Sequence, residues 1–230
     1  MLRSASLFFR PVVDHAIWQR YPDYRAVSVV VMGFEPAPGA TIPVIPLEPP
    51  TWMAEHLEAW RNAFRAFGAN PKKTPCSVDA LWKRVSKQGC LPSINPVVDL
   101  YNALSIRFGA CFGGEDLDRY AGVPRLEIAC GDEPFDTVSD GAPVIEHPEG
   151  GEVVWRDEQG VTCRRWNWRQ CKRTAITTDS RNLWFVIDRL PPMPIAELQR
   201  AGQELVSGLA GISPGITHSI ELLEPASSQT

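Results

Sequence analysis

The sequence lacks the residue groupings from which proteins commonly build metal and redox sites. Its 230 residues include six cysteines and four histidines, but no two cysteines form a C-x-x-C pair and the histidines are widely separated. Zinc ribbons and redox dithiols need such residues at short spacing. We therefore expect no metal and no other cofactor, and we expect most of the cysteines to be reduced, buried and packed as small apolar residues.

Long apolar runs are absent from the N-terminal stretch. Between residues 1 and 14, the longest continuous apolar run is Leu7 to Phe9, which Arg10 and Pro11 interrupt. A secretory signal needs an apolar segment of about 7–15 residues and a membrane helix about 20. We expect a cytoplasmic protein without a membrane partner.

An excess of positive charge is also missing. The formal net charge is -4 and the sequence pI is about 5.6. A protein that coats nucleic acid without sequence preference needs a broad basic surface, so we expect no DNA partner and leave open local contact with a small part of an RNA. The composition, 44% hydrophobic and 22% charged, is typical of one globular unit, here over residues 1–230.

Apolar periodicity predicts both helices and strands. A β-branched run from Ala26 to Phe34 predicts a buried strand, and six prolines between residues 35 and 50 predict an extended connector. Helical spacing and capping residues predict four helices: one ended by Gly68, one from Thr74-Pro75 to Gly89, one from Asn95-Pro96 to Phe108, and one from Ile195. Further strands are predicted at 126–130, 152–156, 161–168, 182–188 and 218–223, with a hairpin turn at 157–160.

One candidate site lies in the stretch 109–117 (GACFGGEDL). Gly113 and Gly114 allow positive φ angles and close approach of a ligand, and Glu115 and Asp116 follow where a turn can direct them into a cleft. No Ser, Cys or His occurs in a recognisable nucleophile context. A hydrolase built on these residues would position water with carboxylates, amides and backbone N–H groups.

A second stretch supplies the opposite charge. No acidic residue occurs between Gly160 and Thr178, a segment with five arginines and lysines that suits a phosphate or carboxylate partner. In a strand, alternate residues face opposite sides. One face would carry Arg165, Asn167 and Arg169, and the other Arg164, Trp166 and Trp168. The alternative is that these arginines pair inside the protein with Glu115, Asp116 or Asp132.

Two helix faces have a simpler interpretation from periodicity alone. Asn95, Asp99 and Asn102 share one side of their helix, which favours a solvated face. The basic residues of the preceding helix also have the pattern of solvating side chains: Lys83, Arg84 and Lys87.

Three strings together resemble a known family. SINPVVD (93–99), GGEDLD (113–118) and RRWNWR (164–169) resemble the tRNA-editing B3/B4 domain of the phenylalanyl-tRNA synthetase β subunit, and more closely free-standing proteins made of that domain alone. The resemblance covers about residues 91–190. It implies an α+β, three-layer fold with a β-sandwich of unusual topology and flanking helices. It also implies hydrolysis of the ester that joins a wrong amino acid to the 3′ end of tRNA.

The chain departs from the synthetase pattern in two places. Synthetases commonly carry a His-Ala-Phe-Asp string where this chain has residues 113–116, and a Met-Gly-Gly turn where it has residues 166–168. Both places fall in or beside the editing pocket, so the resemblance leaves open which amino acid is removed.

The resemblance therefore implies an aminoacyl-tRNA deacylase that acts in trans on the acceptor end. Its candidate catalytic residues are Glu115, Asp116 and Asn167. Its candidate substrate-binding residues are Asn95, Asp99, Gly113, Gly114, Arg164, Arg165, Trp166, Trp168 and Arg169. Two alternatives stay open: a non-catalytic module that binds RNA or an amino acid, and a hydrolase or lyase of a free small molecule.

Overall fold

The computed structural model describes residues 9–139 and 141–225, so most of the short apolar run at residues 7–9 lies outside it. The helices are α1 (His15–Arg20), α2 (Met53–Ala66), α3 (Ser77–Gln88), α4 (Pro96–Phe108) and α5 (Ile195–Ile212). The strands are β1 (Val12–Val13), β2 (Arg25–Met32), β3 (Cys111–Asp116), β4 (Arg125–Ile128), β5 (Phe135–Ser139), β6 (Ala142–Glu146), β7 (Val153–Arg156), β8 (Val161–Arg164), β9 (Arg169–Gln170), β10 (Leu183–Arg189) and β11 (Thr217–Leu223). Within the described ranges, no helix has the length and apolarity needed to cross a membrane.

Two sheets form the centre of the fold. One is antiparallel with the order β11-β2-β10-β3, and the other has the order β1-β4-β7-β8-β9, in which β1 and β4 run parallel. Strands β5 and β6 form a separate hairpin. The mixture of helices and mostly antiparallel sheets confirms the α+β prediction.

Side-chain alternation along β2 and β10 divides the core into two layers. Val29 and Phe185 pack with residues of α4 and α5 on one face of the four-stranded sheet. Val30 and Trp184 pack on the other face, against the five-stranded sheet and α2. Helices, sheet and second sheet thus form three layers, and the site described below lies between the two sheets. That residues 1–230 make one unit stays a prediction.

Helix α4 begins and ends where the sequence predicts. The Asn95 side chain accepts a hydrogen bond from the N–H of Val98 (2.9 Å), and Pro96 is the first helical residue. Gly109 adopts φ +59°, and its N–H bonds to carbonyls of the last turn. The chain then enters β3 directly.

Two local predictions are corrected. Helix α3 begins at Ser77 rather than at Thr74-Pro75: Cys76 is the capping residue, and the Thr74 hydroxyl instead donates to the Asn70 carbonyl in the preceding turn (3.0 Å). The stretch Cys111–Asp116 is a buried strand rather than a turn, because it pairs in register with β10. The hairpin turn at residues 157–160 is confirmed, since Arg156 of β7 pairs with Val161 of β8.

Candidate functional site

A cavity of about 300 Å³ lies between the two sheets at the β3 edge of the four-stranded sheet, where residues of α3 and α4 also line it. Its walls are largely aromatic and apolar: Tyr101, Phe112, Trp155, Trp166, Trp168 and Val186. The polar groups that line it are Asn102, Glu115, Asn167, Arg169, Gln170 and Asp188. This volume is at the lower end of the range for ligand pockets, which suits a small group such as one amino acid.

Strands β3 and β10 form the floor of the cavity. Their register pairs Glu115 with Trp184 and Cys111 with Asp188. Residues two apart share a face, so Glu115 and Asp188 both lie on the cavity side. The two pairs are four residues apart, about 13 Å along the strand. The floor therefore carries one carboxyl group toward each end.

Glu115 is 3% exposed and belongs to a hydrogen-bond network. The Tyr120 hydroxyl donates to its Oε2 (2.5 Å), and Gln170 Nε2 lies 3.5 Å from its Oε1. Burial raises the pKa of Glu115 from 4.5 to about 7, although hydrogen bonds from Tyr120 and Thr174 oppose the shift. Near pH 7 the carboxyl group is close to half ionised, which suits a general base.

Asp188, at the other end of the floor, was not among the predicted site residues. The Tyr24 hydroxyl donates to its Oδ1 (2.6 Å), and Asn167 Nδ2 donates to its Oδ2 (3.2 Å). Burial raises the pKa of Asp188 from 3.8 to about 7, more than these two hydrogen bonds lower it. The sequence signal was present: an acidic residue follows Trp184 and Val186 at strand spacing in a buried strand.

Asn167 reaches Asp188 because the chain turns sharply after β8. The predicted strand 161–168 ends at Arg164, and Arg165 (φ 48°) and Trp166 (φ 66°) adopt left-handed conformations. Trp166 is held by its N–H bond to the Val153 carbonyl (2.6 Å) and by burial of its ring. The prediction of a strand with a row of donors on one face is therefore wrong in this segment.

The two arginines at this turn pair inside the protein. Arg164 is buried, and its Nη2 and Nε donate to Glu152 (2.7 and 3.1 Å) while its Nη1 donates to Glu146 (3.0 Å). Arg165 Nε donates to Glu152 (3.2 Å), and its guanidinium lies over the Trp168 ring (4.5 Å). The alternative of internal pairing therefore holds for these two arginines, but with Glu146 and Glu152 instead of Glu115, Asp116 or Asp132.

Comparison with known proteins assigns the fold to a family. The model of the B3/4 domain matches residues 59–204, which is more than half of the chain and wider than the stretch that carried the resemblance. The chain belongs to the B3/4 domain family. An N-terminal fragment of the phenylalanyl-tRNA synthetase β-subunit from Pyrococcus horikoshii aligns over 90% of this chain and 49% of that one, with 12% identity and a TM-score of 0.49. This chain thus spans about half the length of that fragment. The search of curated proteins found no match to this chain.

The B3/4 domain brings only part of the predicted site to the cavity. The predicted residues that line it are Gly113, Glu115, Trp166, Asn167, Trp168 and Arg169. The others do not line it: Asn95, Asp99, Gly114, Asp116, Arg164 and Arg165. Arg169 lies at the edge of the cavity, where its Nη2 donates to the Val138 carbonyl (3.0 Å).

Asp116 and Gly114 face away from the cavity because neighbours in a strand face opposite sides. Asp116 accepts hydrogen bonds from the Ser180 hydroxyl (2.6 Å) and the N–H of Asp118 (3.0 Å). A Cβ on Gly114 would lie 2.8 Å from the Phe185 ring, so this glycine permits close packing. The expectation that both carboxylates enter one cleft is therefore corrected: only Glu115 does.

Asn95 and Asp99 hold the loop before α4 instead of lining the cavity. Asn95 caps the helix, and Asp99 accepts bonds from the Ser93 hydroxyl and the Ile94 N–H (both 2.7 Å). This corrects their expected role in substrate binding, and leaves Asn102 as the member of that polar stripe that lines the cavity.

We predict that Asn95→Ala lowers the free energy of unfolding by about 1 kcal/mol, because a helix cap is lost. The midpoint of thermal unfolding should fall by about 2–4 °C, with no change in the affinity of the cavity for a ligand. Asn102→Ala is the matched control, because it removes a cavity-lining amide and should weaken that affinity. Weaker ligand binding by Asn95→Ala at unchanged stability would contradict the structural role.

Proposed function

We propose that this protein is a cytoplasmic aminoacyl-tRNA deacylase that acts in trans on the acceptor end. The observation that carries the proposal is Glu115, a buried carboxyl group with a pKa near neutrality in an aromatic cavity that suits one amino acid. Family membership supports the substrate class, since the resemblance to the B3/B4 editing domain implies an aminoacyl ester of tRNA. The position of Glu115 in the cavity supports a role in the hydrolysis of such an ester.

In the proposed reaction, the Glu115 carboxylate removes a proton from a water molecule that attacks the ester carbonyl carbon. The bond between that carbon and the ribose oxygen breaks, and the proton passes from Glu115 to the leaving ribose oxygen. The products are the free amino acid and tRNA with an intact 3′ hydroxyl. An aminoacyl ester is already activated, and positioning contributes much of the remaining acceleration.

Histidine is not the base in this proposal. Of the four histidines only His56 is buried, and it does not line the cavity. Its Nδ1–H donates to the Gly109 carbonyl (2.7 Å), and its Nε2 accepts from Trp60 Nε1–H and the Leu190 N–H (both 3.1 Å). Burial lowers the pKa of His56 to about 4, so the ring is a neutral structural link between α2 and the sheets.

The far end of the cavity would bind the amino-acid side chain. Asn167 Oδ1 and Trp155 Nε1 are buried and have no hydrogen-bond partner within residues 9–139 and 141–225. Leaving such a group unpaired costs about 1–3 kcal/mol. A side chain with polar atoms could satisfy both groups and donate to Asp188, while the tryptophan walls bury its apolar part.

A deacylation screen tests the proposal. The purified protein is incubated with a panel of mischarged tRNAs, and release of each amino acid is compared with spontaneous hydrolysis. We expect accelerated release from at least one tRNA. Binding without release would favour the non-catalytic module, and equal activity on a free small-molecule ester would favour the small-molecule hydrolase.

We also predict that deacylation needs no protein-bound metal, because the sequence has no metal-ligand spacing. Dialysis of the protein against a strong chelator, followed by assay with the magnesium that tRNA itself requires, should leave the rate unchanged. A loss of activity that zinc restores would contradict this prediction.

A further inference from the structure

One face of α3 continues from the rim of the cavity. Ser77, Ala80 and Leu81 of this helix line the cavity. Residues three, four and seven apart share a helix face, so Arg84 and Lys87 continue the side that Ala80 begins. They lie about 6 and 10 Å farther along the helix axis than Ala80.

These two cations are not neutralised within the described part of the chain. Both side chains are exposed, and neither has an ion-pair partner within residues 9–139 and 141–225. Lys83, on another side of the same helix, instead pairs with Asp79 (3.1 Å). The sequence from 80 to 98 contains no acidic residue, so the positive charge of Arg84 and Lys87 faces solvent beside the cavity.

The arginines of the 160–178 stretch are less available for this purpose. Arg164 and Arg165 share Glu152, and Arg173 pairs with the buried Asp157 (2.8 Å). The basic segment that the sequence brings to attention is thus largely neutralised inside the fold. Among the described residues, Arg84 and Lys87 carry uncompensated charge near the cavity rim, although periodicity alone assigned the basic residues of α3 only to solvation.

We propose that Arg84 and Lys87 bind the phosphates that precede the terminal adenosine of the tRNA substrate. This inference rests on the proposed function, because an ester bound in the cavity places the preceding nucleotides at its rim. Arginine and lysine are the usual phosphate contacts of nucleic-acid-binding proteins. Two such contacts at the rim would direct the 3′ end into the cavity without a broad basic surface, in keeping with the net charge of -4.

The test compares wild type with the double variant Arg84→Ala/Lys87→Ala. The probe is a trinucleotide of the tRNA 3′ end that carries its amino acid through an amide in place of the ester, so binding is measured without turnover. Loss of two single-strand phosphate contacts should lower the slope of log affinity against log salt by about 1.4. If the two proteins bind equally well at 1 M salt, the variant should bind about 25-fold more weakly than wild type at 0.1 M salt.

Two controls separate this contact from other effects. Arg125→Ala/Arg181→Ala removes the same charge from exposed positions that do not line the cavity, and should leave affinity and slope as in wild type. The amide of adenosine alone has no internucleotide phosphate, so Arg84→Ala/Lys87→Ala should weaken its binding far less than that of the trinucleotide.

The inference is overturned if the α3 double variant keeps the wild-type affinity and salt slope for the trinucleotide. It is also overturned if the wild type binds the trinucleotide no better than the adenosine probe. Failure of the proposed function has a different signature, in which the wild type binds the amide probes but does not hydrolyse the matching esters.

Discussion

Replacing Glu152 with glutamine should lower the midpoint of thermal unfolding by about 6–12 °C. Glu152 is 1% exposed, and its two oxygens accept three hydrogen bonds from Arg164 and Arg165. Glutamine keeps the size but places an amide NH₂ against arginine donors and leaves Arg164 with one carboxylate, Glu146. Removing one partner of a buried ion pair costs about 3–5 kcal/mol, and the remaining carboxylate favours the lower value. In a chain of this length each kcal/mol corresponds to about 2–4 °C.

Glu146→Gln is the matched control. It removes the same charge from the same arginine, but the Glu146 side chain is 35% exposed, so the loss should be about 0–1 kcal/mol. Differential scanning calorimetry of both variants measures the contrast. If Glu152→Gln melts like wild type but loses affinity for tRNA, these groups bind substrate and the structural assignment is wrong.

Helix α4 could be predicted because its signals are local. An N-cap asparagine, a proline at the first helical position and a left-handed glycine each act within one turn of the helix. The same is true of the four-residue turn between β7 and β8. The resemblance added the layers of the fold, which the pattern of elements alone did not define.

The turn after β8 could not be predicted, because distant residues fix it. A non-glycine residue rarely adopts positive φ, so nothing in the string RRWNWR indicates this turn. The ring of Trp166 packs edge-on against Tyr24 and Trp60, with centroids 4.9 and 5.1 Å away. Both partners precede residues 91–190, the part of the chain that carries the resemblance.

The strand spacing placed Asp188 on the same face as Trp184 and Val186, but its hydrogen-bond partner could not be predicted for the same reason. Its hydrogen-bond partner Tyr24 lies 164 residues earlier in the sequence. A lone aspartate at the end of a predicted strand gives no sign of a partner so distant. On β3, the predicted residues Gly113 and Glu115 do line the cavity, but the strand itself was not predicted because it forms by pairing with the distant β10.

Replacing Glu115 with glutamine should reduce turnover of aminoacyl-tRNA at least about hundredfold, which corresponds to about 2.7 kcal/mol of activation free energy. A carboxylate that accepts a proton from water acts in the transition state, so the catalytic constant should fall and the Michaelis constant should change little. Wild-type turnover should rise with pH and level off above about 7, because the base must be ionised.

The same substitution, which lowers turnover, should raise thermal stability at high pH. The pKa of Glu115 is higher in the folded state (about 7) than the ordinary value of 4.5, so the folded state binds more protons between these values. Protonation of Glu115 therefore contributes to the free energy of unfolding fully below about pH 4.5, and this contribution is lost as pH rises through 7. Glutamine does not ionise, so Glu115→Gln should melt higher than wild type at pH 8, and the difference should shrink toward pH 5.

Asp116→Asn is the control that separates catalysis from packing. It removes the neighbouring carboxylate, which faces the other side of the sheet and bonds to Ser180, so it should lower stability and leave the catalytic constant near wild type. Compared with wild type, Glu115→Gln should lose turnover and gain stability at high pH, whereas Asp116→Asn should lose only stability. If Glu115→Gln instead loses stability and activity in proportion, Glu115 supports the fold, and the proposed base must be sought at the other end of the cavity, at Asp188.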